Sequence, residues 1–130
     1  MARYRKIDSR MWNDEKVRTF SDDGKLSFLF LLTHPAMTAV GAMRATLPGL
    51  AAELSWPEKR FRTAIAPAIQ LGMVEVNEVA AYVALPNFLR YNEPQGPNSV
   101  KAWTTALEAI PECAEKARLL ARCQRYLAGK

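Results

Sequence analysis

The sequence predicts an α+β fold, and three observations carry that prediction. "TLPGLAAEL" and "WPEKRFRTAIAPAIQ" read as two short amphipathic helices joined by a tight turn. "MVEVN" and "AAYVALP" follow as β-prone runs separated by Glu78-Val79, the pattern of an antiparallel hairpin. Two further helical segments, about 99–110 and 111–127, close the chain. Its 130 residues fit one compact domain with a small appendage. Hydrophobic residues at 49% supply enough side chains for a core.

The N-terminal 20 residues are basic and mixed, with Trp12, Val17 and Phe20 as expected anchors onto a core. "SDDGKLSFLFLLTH" then predicts a mostly buried helix. Ser21 caps it, and Asp22 and Asp23 suit its positive end. Pro35 stops it, and His34 fits the negative C-terminal end. A short strand is expected over 42–45, after which Thr46 opens the helix "TLPGLAAEL".

The next helix is the most informative. Ser55 and Glu58 have capping-box spacing, which places its start at Trp56. Phe61, Ala64, Ile65 and Ala68 recur as a core-facing stripe. At about 100° per residue this turns Lys59, Thr63, Ala66 and Gln70 outward, with Arg60 and Arg62 flanking. Pro67 lacks the amide that would bond the Thr63 carbonyl, so a kink or an end to the regular helix is expected there. Gly72 ends the segment before the hairpin. Helix, turn, helix and hairpin together define a winged helix-turn-helix, expected over 1–92. Phe88, Leu89 and Tyr91 anchor a connector that leads into a C-terminal helical extension over 93–130.

Net charge is +5 and the sequence pI is near 9.5, which favours a polyanionic partner. Lys59, Arg60, Arg62, Thr63 and Gln70 are the candidate nucleic-acid contacts: arginine suits guanine, glutamine suits adenine, and lysine and threonine suit phosphate. Arg44, on the short strand, is a further candidate. Arg3, Arg5 and Lys6 read either as an arm along the backbone or minor groove, or as an edge covering the core. Arg90 and Lys101 are weaker phosphate candidates. Arg118, Arg122 and Arg125 share a face of the last helix, opposite Leu120, Cys123 and Leu127; a solvated face, a second basic surface and an acidic partner's dock all fit.

Other function classes find little in the residues. One histidine and two cysteines without CxxC spacing supply no zinc ligand set, and both cysteines are expected in the last helix, too far apart to bond within it. No phosphate-cradling or nucleophile-elbow motif is present, so neither an enzyme nor a cofactor is expected. The N-terminus has no signal-peptide h-region and no apolar run approaches a membrane span; a reducing cytoplasm is the expected compartment.

Two resemblances extend these readings. "LPGLAAELSWPEKRFRTAIAPAIQLGMVEV" resembles the general bacterial winged-helix pattern. "RYRKIDSRMWNDEKVRTFSDDGKLSFLFLLTHPAMT", "GAMR", "LPNFLRYNEPQGPNSVKAW" and "IPEC" together resemble phage and prophage proteins of the replication-initiator, or replisome-organiser, kind. That resemblance implies an N-terminal winged-helix domain on origin DNA and, in many members, a C-terminal part for helicase loading. The chain reads as ending soon after its helical extension, without a long loader-binding domain. Double-stranded DNA is thus the expected partner. A protein-interaction module directed at a host helicase-loading or defence factor, and a small transcriptional regulator, are the alternatives.

Overall fold

The structure, a computed structural model, describes residues 4–92 and 97–128. Its elements run from a 3-10 turn (Ser9–Asn13) through α1 (Glu15–Arg18), α2 (Asp22–Thr33), β1 (Ala42–Arg44), α3 (Leu47–Glu53) and α4 (Glu58–Gln70). The hairpin β2 (Glu75–Asn77) and β3 (Tyr82–Ala84) follows, then α5 (Phe88–Tyr91), α6 (Pro97–Ala109) and α7 (Ala114–Ala128). The fold is α+β, with one three-stranded antiparallel sheet of order β1-β3-β2 among the described residues. Ala42 pairs with Ala84 and Arg44 with Tyr82; Glu75 pairs with Ala84 and Asn77 with Tyr82.

Alternation along these strands sorts the side chains onto two faces. Met43, Val76 and Val83 join a core with Phe28 and Leu31 of α2, Leu50 of α3, and Phe61 and Ile65 of α4. Ala42, Tyr82 and Ala84 point the other way, into a second core with Trp103 of α6 and Leu119 and Cys123 of α7. The sheet is therefore covered on both sides, which explains why every residue of β3 is buried.

Several boundaries follow from legible caps. The Ser21 hydroxyl accepts from the Gly24 amide, and Thr46 Oγ1 accepts from the Gly49 amide at 3.1 Å. Gly72 (φ 75°) closes α4: its amide donates to the Ile69 carbonyl, and that of Met73 donates to the Ala68 carbonyl. That pair of bonds is a Schellman motif, with buried Met73 as its apolar contact. Gly41 (φ 79°) carries a stricter demand, because a Cβ there would sit 2.4 Å from the Phe88 Cβ. Buried Lys116 donates from Nζ to the Ile110 carbonyl just past the end of α6, and to Glu112.

The start of α4 corrects the capping-box reading. Ser55 does not cap α4; it closes α3 in the left-handed region (φ 60°). Its amide donates to the Ala52 carbonyl and that of Trp56 to the Ala51 carbonyl, the same Schellman pattern with serine in glycine's place. The helix begins at Glu58, with Pro57 at the N-cap position and no side-chain cap. Glu58 is then free to reach forward along the helix to Arg62. Of the two outcomes expected at Pro67, the helix end is overturned: α4 runs through it to Gln70, and the Leu71 amide bonds the Pro67 carbonyl. Phe61, Ala64, Ile65 and Ala68 are buried on both sides of the proline, so packing holds the helix across the missing bond.

Smaller differences have similar causes. Trp12 and Leu26 are about half exposed, whereas Val17, Phe20, Phe28 and Leu31 are buried. Leu120 and Leu127 face outward; the inward row of α7 is Lys116, Leu119 and Cys123. Cys113 precedes α7 instead of lying within it, and both cysteines are free thiols. The hairpin connection spans four residues, 78–81, and Val79 at its tip is fully exposed. Phe88 and Leu89 are buried, while the connector at 93–96 lies outside the described residues.

Candidate nucleic-acid interface

The outward face of α4 is built as the sequence reading placed it. Its apolar stripe is fixed against α2 and α3, which leaves Lys59, Thr63 and Gln70 exposed at i, i+4 and i+11. From Lys59 to Gln70 this row spans about 16 Å of helix. Lys59 makes no ion pair with the described residues. A shallow depression opens beside it, lined by Ser21, Asp23, Pro57, Lys59, Arg60, Thr63 and Ala64.

The two flanking arginines are on the same helix but are not free cations. Arg60 donates from Nε and Nη2 to the two Asp23 carboxylate oxygens at 2.9 and 3.0 Å. Its guanidinium also lies over the Trp56 ring, 4.1 Å from the centroid. Arg62 donates from Nη1 and Nη2 to the Glu78 carboxylate at 3.0 and 2.7 Å, and from Nε to Glu58 at 2.6 Å. Three of its five N–H donors are thereby committed. These bonds raise the pKa of both guanidiniums above the ordinary arginine value. They hold the Asp23 and Glu78 carboxyls below theirs. Two of the rim's three cations thus engage its three carboxylates, and Lys59 pairs with none of the described residues.

The other candidate residues are not gathered at α4. Arg44 is exposed, but strand alternation assigns it to the sheet face of Ala42 and Tyr82, opposite the face that packs α4. Arg5 is half-buried, donates to the Met37 carbonyl and lies 5.8 Å from the centroid of the Phe88 ring. Burial lowers its pKa, and its contacts fit the alternative of an edge that covers the core. Lys6 is exposed and lines a cleft of about 220 Å³ together with Asp8, Arg10 and Lys16. Arg3 lies outside the described residues.

The arginines of α7 meet the same hairpin from the sheet's other side. Arg118 donates to Glu75 at 3.0 Å and Arg122 at 3.3 Å, while the Asn77 side-chain amide donates to Glu115. The Asn77 bond is the main reason the Glu115 carboxyl sits below its ordinary range. Tyr82 is wholly buried nearby, beside Glu75 and Arg122. Burial, with the Glu75 charge adding to it, pushes its pKa up to about 12.

Sequence reasoning missed Trp56 and the role of Asp23, Glu75 and Glu78 as arginine partners. The Glu58–Arg62 pair has i,i+4 spacing, but the capping-box reading assigns Glu58 to Ser55. Asp23 and Arg60 are 37 residues apart, and no local pattern joins them. His34 is the C-cap of α2, as its helix-end reading placed it, and is also a buried brace. Its Nδ1 accepts from the Ala36 amide, so Nε2–H donates to Glu53 at 2.6 Å.

Among the described residues no cluster of three or more His, Cys, Asp or Glu side chains is placed to hold a metal ion. No helix among them is long and apolar enough to cross a membrane. Protein-family models, curated proteins and solved structures give no match to the chain, so a functional reading stands on this geometry and on the residues themselves.

Proposed function

We propose that the chain is a winged helix-turn-helix protein that binds double-stranded DNA in phage or prophage replication, with α4 in the major groove. The observation that carries this reading is the uncovered outward row of Lys59, Thr63 and Gln70, on a helix whose opposite face is fixed in the core. The order helix, strand, helix, helix, hairpin (α2, β1, α3, α4, β2–β3) and the sheet order β1-β3-β2 support the winged-helix assignment. The assignment to replication rests on the resemblance noted in the sequence.

In this reading the first turns of α4 enter the groove. Lys59 and Thr63 take phosphate or base edges, and Gln70 reaches an adenine if the helix lies along the groove floor. Arg60 and Arg62 exchange their exposed carboxylate partners for phosphate, which costs little because solvated ion pairs are weak. Binding is non-covalent, and much of the affinity comes from released counterions.

The test is titration of a labelled mixed-sequence duplex at about 50 and about 200 mM salt, with Lys59→Ala and Lys59/Arg62→Ala alongside. Affinity should fall steeply between the two salts, and both variants should weaken it. Wild-type protein without salt-sensitive binding at micromolar concentration, or variants that bind as well as wild type, would overturn the reading.

A second reading has one observation in its favour. The rim of α4 is electrically balanced, which suits a protein partner of mixed charge better than a uniform polyanion. A protein-interaction module of that kind would bind without the counterion-release slope.

A further inference from the structure

We propose that Glu78, in the hairpin turn, is a built-in competitor for the DNA backbone. By holding Arg62 it sets how strongly α4 takes a polyanion, and so how far binding depends on contacts to bases. This inference rests on the DNA reading above.

Three features of the geometry carry it. The Glu78 carboxylate meets Arg62 end-on with two bonds, at 2.7 and 3.0 Å, across 16 residues of sequence. This is a bidentate, charge-assisted pair and therefore geometrically selective. Both partners remain partly solvated, with side-chain exposures of 38% for Arg62 and 52% for Glu78, so a phosphate can replace the carboxylate.

The turn that carries Glu78 is also held in place. Asn77 Oδ1 accepts from the Ala80 amide at 3.0 Å, the Glu78 carbonyl accepts from the Ala81 amide, and the Ala81 carbonyl accepts from the Ala45 amide. Asn77 Nδ2 bonds Glu115 of α7, and Glu75, on the same strand, bonds Arg118 and Arg122. The C-terminal helix thereby fixes the strand that aims Glu78 at α4. A carboxylate on a mobile loop would swing away from an approaching phosphate at no cost; this one stays beside it.

The consequence is a filter on unspecific binding. A phosphate backbone approaching α4 finds Lys59 unpaired, but it must displace Glu78 from Arg62 and then tolerate that carboxylate nearby. Contacts that depend on sequence, through Thr63 and Gln70, bear no such opposition. Specificity of this sort comes from a repulsive element aimed at the wrong ligand.

The experiment compares wild type, Glu78→Gln, Arg62→Ala, Arg62→Ala/Glu78→Gln and Glu108→Gln on a mixed-sequence duplex across a salt series. Glu108 is exposed on α6 and supplies the same change in net charge away from α4. Glu78→Gln should tighten binding about 3- to 10-fold at low salt and add about one counterion to the salt slope. In the Arg62→Ala background that gain should shrink to less than about half, because Glu78 acts through Arg62.

The proposal is overturned if Glu78→Gln leaves affinity unchanged or weaker while wild type shows salt-sensitive, Lys59-dependent binding; the DNA reading then survives. An equal gain in Glu108→Gln, or an undiminished gain without Arg62, overturns it as well. If neither wild type nor Glu78→Gln binds duplex, both readings fall together.

Discussion

Two helices, α4 and α7, present arginines to carboxylates of one hairpin, and the Arg62–Glu78 and Arg122–Glu75 pairs differ in solvation. On α4, Arg62 and Glu78 have side-chain exposures of 38% and 52%; on α7, Arg122 and Glu75 are each at 16%. An exposed pair contributes little to stability and exchanges readily with another ion. Removing one partner of a buried pair strands a charge in a poorly solvated place. The same chemistry therefore serves two ends. Arg122 of α7 clamps the C-terminal helix onto the sheet, whereas Arg62 of α4, like the 59% exposed Arg118 of α7, lies at the surface. A basic row on a helix is not by itself a sign of a ligand; the solvation of its counter-charges says which arginines can exchange partners.

The largest expected effect comes from breaking the clamp. Glu75→Ala leaves Arg122 unpaired at 16% exposure, with Arg118 beside it. A loss of about 2–3 kcal/mol is expected, toward the low end for a broken buried pair because some solvent reaches the site. Urea denaturation measures it, and an unchanged midpoint would place the α7 arginines with those of α4.

Alkaline pH should attack the same place. The Tyr82 pKa is raised to about 12 by burial, with Glu75 adding to it, against about 10 in an unfolded chain. The folded state thus holds this proton more tightly. Its contribution is fully present below pH ~10 and is lost as pH rises from there toward ~12, a loss approaching about 2–3 kcal/mol. Lysines and other tyrosines titrate in the same window, so the informative quantity is the difference from Tyr82→Phe, which lacks the ionisable group. The wild-type stability curve should fall more steeply than that of the variant between pH 9 and 11.5. Parallel curves would mean that Tyr82 ionises as easily in the folded state as in the unfolded one.

The fold was legible wherever a local pattern carried it. Ser21 and Thr46 announced their helices, Gly72 announced the end of α4, and the stripe from Phe61 to Ala68 assigned its buried face. Lys59, Thr63 and Gln70 followed as its outward row. The capping box failed because Ser-x-x-Glu spacing cannot tell a serine that opens one helix from a serine that closes the helix before it. Only backbone conformation separates the two, and Ser55 is left-handed. The face of α7 was misjudged because its periodicity offers two rows with leucines. The sheet selects the row with Leu119 and Cys123, and no local signal reports where the sheet lies. The state of Arg60 and Arg62 was likewise out of reach, since Asp23 and Glu78 come from distant segments.

Ser55 allows an intermediate test that leaves the arginine pairs alone. α3 and α4 end in the same motif, with serine at the left-handed position of one (φ 60°) and glycine at that of the other (φ 75°). A non-glycine residue there costs about 1 kcal/mol. Ser55→Gly should therefore raise stability by about that amount and leave duplex binding unchanged. A drop in stability would mean that the Ser55 side chain makes a compensating contact.

The smallest expected effect concerns the exposed pair itself. Arg62 holds the Glu78 carboxyl below its ordinary value of 4.5. A depressed folded pKa gives a contribution that is present above the unfolded value, about pH 4, and lost as pH falls through the folded one. Because the pair is solvated, that loss should barely move the urea midpoint, and Glu78→Gln should match wild type at neutral pH. The carboxyl-carbon NMR titration of Glu78 is the sensitive readout: its midpoint should lie below 4.5 and return toward it in Arg62→Ala. An ordinary midpoint in wild type would show that Glu78 does not hold Arg62 in solution, which removes the exposed member of the comparison and the filter built on it, while the clamp of α7 stands.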